Sequence, residues 1–269
     1  MKIVALWCTV FLGPVLLSAQ LSFTPLKTIS IPKGATLLTA DQFGNLYLAY
    51  DEELKKLSPQ GKELYSYSDP LYGDISAIDA LNAMNPLLFY NDVNQLRLVD
   101  NRLNESQAYN LLEAGFIDPT LVAYTDEDNI WIYDQIQDRM IRYNLRHSKS
   151  TAQSQVITQI TNSENQPEAL FCSFNYLLLK LPNTGVLVFD ALGAYQKTIN
   201  LSGKPMMSFY NKSLLTISEK GGVNLYDLST DQKELGLLPE TGMKQIYFEG
   251  SKIYLLFNQE VKVYQLNRS

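Results

Sequence analysis

The chain has 269 residues, a formal net charge of −6 at pH 7, one histidine and two cysteines. An acidic chain without basic runs repels a polyanion, which excludes nucleic acid as a partner. Tyrosine and phenylalanine are abundant, at 17 and 11. No amphipathic pattern lasts beyond about three turns, so strands are favoured over helices.

The first residues, MKIVALWCTVFLGPVLLSAQ, place Lys2 before an apolar run from Ile3 to Leu17, then small residues and Gln20. This reads as a secretory signal peptide, residues 1–19, cleaved after Ala19. The apolar run is shorter than the ~20 residues that a spanning helix needs. Residues 20–269 are therefore expected as one extracytoplasmic domain that is periplasmic, outer-surface associated or secreted. Ala5-Leu6-Trp7, ahead of Cys8, lacks the small residue of a lipid-attachment signal. Cleavage leaves Cys172 without an internal disulfide partner, so burial alone must hold the fold.

Downstream, the stretch Leu37 to Tyr67 reads as four short strands. Turns are expected at Asp41 to Asn45, Asp51 to Glu53 and Ser58 to Gly61. Weaker copies follow. The second strand of each unit starts its apolar run at Leu46, Leu87, Ile130, Tyr176, Leu214 and Ile253, a spacing of roughly forty residues. Third strands repeat independently and end on an apolar or aromatic residue followed by a polar one, at Leu57-Ser58, Val99-Asp100, Tyr143-Asn144, Phe189-Asp190, Tyr226-Asp227 and Tyr264-Gln265. Fourth strands follow in most units, as at Lys62 to Tyr67, Tyr195 to Leu201 and Gln232 to Leu237.

Four strands in roughly forty residues is the signature of a β-propeller blade, and six units predict an all-β, six-bladed propeller. Second strands such as LLFY and IWIY are apolar throughout, so both their faces must be covered. The last unit supplies three strands, Lys244 to Phe248, Lys252 to Asn258 and Val261 to Leu266. The unassigned strand Leu21 to Ile31 completes it and closes the ring. Two departures are expected: at Asp79 to Met84 either a helical turn or a slightly long loop before the strand at Pro86, and a long outer-edge loop from Arg146 to Gln155 as the longest connection. The basic cluster Arg139, Arg142, Arg146, His147 and Lys149 reads as a solvated blade edge.

Asp41-Gln42-Phe43-Gly44-Asn45-Leu46-Tyr47-Leu48 resembles the repeat of NHL-type and TolB-like six-bladed propellers. Trp131 followed by Ile132 departs from WD40 repeats, and Gly221-Gly222 is the only glycine pair, which departs from kelch repeats. Ser76 to Glu105 also resembles small secreted propellers of Bacteroidota. Six-bladed propellers include calcium-dependent lactonases and gluconolactonases. That resemblance implies a channel-mouth calcium site, for which Asp74, Asp118, Glu168 and Glu240 at the entries to the innermost strands are the candidates.

No hydrolytic constellation accompanies them. His147 falls in a polar loop far from the inner strands, Cys172 sits in the apolar stretch LFCSF, and CxxC, HExxH and phosphate-binding glycine loops are absent. Tyr72, Tyr124, Phe171, Phe209 and Tyr210 are candidates for lining the channel or meeting a partner. The leading expectation is a monomeric scaffold or accessory subunit, without catalysis or cofactor, that binds a protein or envelope component. The alternatives are a metal-dependent lactonase-like hydrolase and a small-ligand or glycan-binding module.

Overall fold

A computed structural model describes residues 20–268 apart from 127, 165, 174, 183 and 202; the expected signal peptide lies outside the described residues. The chain enters with β1 (Gln20–Ser30). A first meander follows, made of β2 (Leu37–Ala40), β3 (Leu46–Tyr50), β4 (Glu53–Leu57) and β5 (Glu63–Ser68). The second is β6 (Ala77–Asp79), β7 (Leu87–Tyr90), β8 (Gln95–Val99) and β9 (Glu105–Asn110). The third is β10 (Pro119–Asp126), β11 (Asn129–Asp134), β12 (Arg139–Asn144) and β13 (Lys149–Gln153). A short helix, α1 (Ile157–Thr161), leads to β14 (Ala169–Cys172), β15 (Tyr176–Leu181), β16 (Gly185–Asp190) and β17 (Tyr195–Ile199). The remaining strands are β18 (Met206–Tyr210), β19 (Ser213–Ile217), β20 (Gly222–Asp227), β21 (Gln232–Leu237), β22 (Gln245–Glu249), β23 (Lys252–Leu256) and β24 (Glu260–Arg268).

The first four meanders are separate four-stranded antiparallel sheets, and the rest form one eight-stranded sheet in the order β18-β19-β20-β21-β1-β24-β23-β22. Within it β1 pairs antiparallel with β24 along nearly its whole length. Its link to β21 is a parallel contact limited to Gln20 with Leu235 and Leu21 with Gly236. The first strands of successive groups lie side by side in a closed circuit, β2 to β6, β10, β14, β18, β22 and back to β2. This is a β-propeller with four-stranded blades around a central channel.

Burial follows position in the blade. The second strands β3, β7 and β19 are buried almost residue for residue because sheets cover both faces, whereas the outer strands β5 and β9 are largely exposed. The apolar clusters sit between neighbouring sheets. One joins Leu87 and Phe89 to Ile130 and Ile132, and another joins Leu38, Leu46 and Leu48 to Leu256 and Val261, sealing the first meander against the last. Asp41, buried at 2%, accepts hydrogen bonds from the Phe43 and Asn45 backbone N–H groups, the Asn45 amide and the Tyr47 hydroxyl. With Gly44 at φ 80° it makes the turn from β2 to β3 a structural device.

One local expectation is corrected, and one left open between two readings is decided. Residues 146–155 are not the longest connection: Lys149 to Gln153 pair with β12 as β13, and the turn into that strand is tight because Ser148 adopts φ 48°. The long connection follows it and carries α1, whose Ile157 is buried and whose first turn is held by Asp138 Oδ2 accepting the Thr158 N–H at 2.8 Å. Asp79 to Met84 forms the loop, not the helical turn. Asp79 ends β6, and its Oδ1 and Asn82 Oδ1 accept the N–H groups of Leu81 and Met84, two Asx turns that a helix would forbid.

The β1–β21 contact depends on the missing side chain at Gly236, where an added Cβ would lie 2.7 Å from Leu21 Cβ and 3.0 Å from Leu21 O. Gly236→Ala is expected to lower unfolding stability by about 1–3 kcal/mol. Denaturant midpoints unchanged from wild type would show that this contact does not matter.

Candidate functional site

The innermost strands enclose a cavity of about 640 Å³. Its walls come from β2, β6, β10, β14, β18 and β22, so every blade edge contributes. Neighbouring innermost strands do not pair backbone to backbone, so their inward N–H groups need other acceptors. Side chains supply several. Asp79 Oδ2 accepts the Tyr124 N–H at 2.9 Å, Gln245 Oε1 accepts the Leu38 N–H at 2.7 Å, and Ser208 Oγ accepts the Phe248 N–H at 2.8 Å. Thr125 Oγ1 and Cys172 Sγ meet at 3.3 Å.

The titratable groups gather where the innermost strands finish. Asp79 is the last residue of β6 and Glu249 the last of β22, and both line the cavity. Burial raises the Asp79 carboxyl above its ordinary value, against the opposing pull of its two backbone N–H bonds. Burial also pushes Glu249 up to about 7, reinforced by the negative charges of Asp41 and Asp79 and partly offset by Lys252. Glu249 Oε2 is buried and has no hydrogen-bond partner among the described residues. Cys172 is pushed up to about 12, chiefly by burial, so its sulfur stays a neutral thiol.

The residues expected from sequence distribute unevenly. Phe171, Phe209, Tyr210 and Glu168 line the cavity. Tyr72 instead packs on Tyr90, with ring centroids 5.4 Å apart, and carries the Arg97 guanidinium 4.1 Å above its ring. Tyr124 is fully buried between sheets, its hydroxyl donating to Asn85 O at 2.8 Å. Both are blade packing.

The four acidic candidates do not come together. Glu168 pairs with Lys180 at 2.9 Å, while Glu240 accepts from Lys262 at 3.0 Å and from the Tyr264 hydroxyl at 2.6 Å. Burial opposes ionisation of Glu240, yet these bonds hold its carboxyl below the usual range. Asp74 is exposed in the loop entering β6, and Asp118 lies just before β10 with its carbonyl accepting the Gln135 N–H. No group of three or more His, Cys, Asp or Glu side chains is placed to hold a metal ion among the described residues. His147 is exposed in the turn after β12.

Asp79, Glu249 and Ser173 are channel residues that the sequence pattern did not single out. Each stands at or just beyond the end of an innermost strand, whereas the acidic candidates from sequence sit at strand entries. The signal was a polar residue closing a short apolar strand, as in QIYFE and ALFC-Ser.

With this architecture in view, the protein's class is that of the four-stranded-blade propellers. No protein-family model matches the chain, and no curated protein matches it. Solved structures do. Virginiamycin B lyase from Staphylococcus aureus superposes with a TM-score of 0.63 at 12% identity, over 91% of this chain and 100% of the other. A streptogramin B lyase gives 0.60 at 11%, over 92% and 98%, and the Pan2 WD40 domain of Neurospora crassa gives 0.58 at 10%, over 90% and 95%. At such identities the likeness establishes the fold alone.

Glu249 supplies a test of the site's electrostatics. Between its ordinary value of 4.5 and its folded value of about 7, the folded chain keeps a proton that the unfolded chain has released, so stability falls as pH rises through that window. The expected loss is roughly 2 kcal/mol after allowing for screening by channel water. Glu249→Gln should remove most of the fall and be more stable than wild type at pH 8, with Asp79 leaving a residual slope. Urea midpoints at pH 5 and pH 8 measure this, and parallel pH profiles for the two proteins would refute it.

Proposed function

We propose that the protein is an extracytoplasmic, six-bladed propeller that holds a small ligand in its central channel. Support for the blade count comes from the eight-stranded sheet, whose halves β18–β21 and β22–β24 with β1 are joined as strands only by the short parallel pairing at Gln20 and Leu21. The turn at Asp41 to Leu48 is the part of the sequence that favours an NHL-type origin. The extracytoplasmic reading rests on the signal-peptide pattern of residues 1–19.

The observation that carries the ligand reading is the cavity itself. About 640 Å³ falls within the ~300–1,000 Å³ of typical small-molecule sites, and apolar walls with a few convergent polar groups are their usual make-up. A fragment library screened by saturation-transfer NMR should give hits on the wild type that vanish in Thr120→Trp, which fills the channel from β10. Retention of the hits in a folded Thr120→Trp protein would remove the reading. In a Gram-negative host, the full chain should yield a periplasmic product starting at Gln20 by intact mass; an uncleaved product would remove the export reading.

A second reading, the protein-binding scaffold, is favoured by exposed apolar side chains on the connections. Leu71, Ile117 and Ile136 are 82%, 57% and 65% exposed. Leu71 and Ile117 lie in the loops entering β6 and β10, and Ile136 lies in the turn from β11 to β12. Successive antiparallel strands alternate direction, which puts these connections at one end of the ring. Cross-linking in envelope extract that captures the same partner with wild type and with Leu71→Asp/Ile136→Asp would count against this end as the docking surface.

A further inference from the structure

Resting on the channel-binding reading, we propose that the ligand is an organic cation, an ammonium head on an apolar body, with the head held beside Glu249. The cavity wall carries the carboxylates Asp79, Glu168 and Glu249, and no lysine, arginine or histidine lines it among the described residues. Two of these charges are already committed. Glu168 is paired with Lys180, and Asp79 takes the backbone N–H groups of Tyr124 and Leu81.

Glu249 is different, because its Oε2 is buried with no hydrogen-bond donor among the described residues. The cross-strand Lys252 makes no ion pair with it within 4.0 Å; the pairs the structure forms lie elsewhere. Ser173 is a second, independent sign. It lines the same cavity, is 9% exposed, and its Oγ also lacks a partner among the described residues. A buried carboxylate oxygen and a buried hydroxyl left unmatched are each costly, and a ligand that donates hydrogen bonds and carries positive charge relieves both.

The remaining wall decides the body of the ligand. Leu37, Leu121, Phe171, Phe209 and Tyr210 face the cavity, which suits an aliphatic or aromatic group, and aromatic faces further favour a nearby cation. An anionic ligand would meet the uncompensated carboxylate of Glu249 with no cationic side chain lining the wall among the described residues to offset it.

The test compares 4-phenylbutylamine, 4-phenylbutanol and 4-phenylbutanoate by calorimetry at pH 8 on wild type, Glu249→Gln and Thr120→Trp. The amine should bind about tenfold more tightly than the alcohol. Glu249→Gln should erase that advantage by weakening the amine, the carboxylate should not bind, and Thr120→Trp should bind none. Equal binding of amine and alcohol, or an amine affinity insensitive to Glu249→Gln, overturns the cation assignment and leaves the channel reading standing. Library fragments that occupy the channel while the amine does not would overturn it in the same way. Absence of binding by the three probes together with no channel-dependent fragment overturns both.

Discussion

Everything in this ring depends on the pairing of β1 with β24. The register runs from Leu21 opposite Arg268 to Ser30 opposite Glu260, joining the two ends of the described chain in one blade. Asn267 Nδ2 donates to Thr24 Oγ1 across 243 positions of sequence. Without that strand β24 would present an open edge, and the cluster linking Ile29 and Ile31 to Leu46, Val261 and Val263 would lose one wall. The blades are individually small sheets that cannot bury both faces alone. Each is stable because its neighbours on either side are present, so closing the circuit stabilises all of them together.

A consequence of that geometry reaches the channel. Strands that converge on an axis splay apart, and their inward N–H groups fall out of reach of the next strand's carbonyls. Asp79, Gln245 and Ser208 fill that role with side chains. The polarity of the channel is thus partly architectural, and a polar lining residue is not by itself a sign of binding. Glu249 and Ser173 stand apart because each has a buried oxygen that no backbone group engages among the described residues. The distinction between committed and uncommitted polar groups, rather than the number of acids, is what marks a place for a ligand.

The fold was legible because blade burial writes itself into the second and third strands. LLFY, IWIY and LYLAY are buried from both sides, and the pattern recurs about every forty residues. The closing strand was legible by counting. Two pieces resisted. Lys149 to Gln153, KSTAQ, is short, mostly polar and largely exposed, so nothing in its composition separates an outer strand from a loop. α1 is built from ITQIT, mostly β-branched residues with poor intrinsic helicity, and forms because Ile157 is buried and Asp138, in the turn from β11 to β12, accepts the Thr158 N–H. The site was less legible. Phe171, Phe209 and Tyr210 were found, but Tyr72 and Tyr124 were not separable from them, since an aromatic between blades and one on the axis occupy similar sequence positions. Which end of an innermost strand carries the uncommitted acid depends on cross-strand partners far away in sequence.

The bulge in β1 between Pro25 and Lys27 bears on how the ring is assembled in time. Of the described strands, β1 is synthesised earliest and finds its partner only when β24, the latest of them, has been made. In the interval it is an unpaired strand, the kind of segment that recruits other chains. Pro25 removes one backbone donor from it, and the bulge breaks its register beside a lysine, so that a stray strand meets a poor template. The cost is one imperfect step in the final ladder. What it secures is an early strand that can wait for a late one.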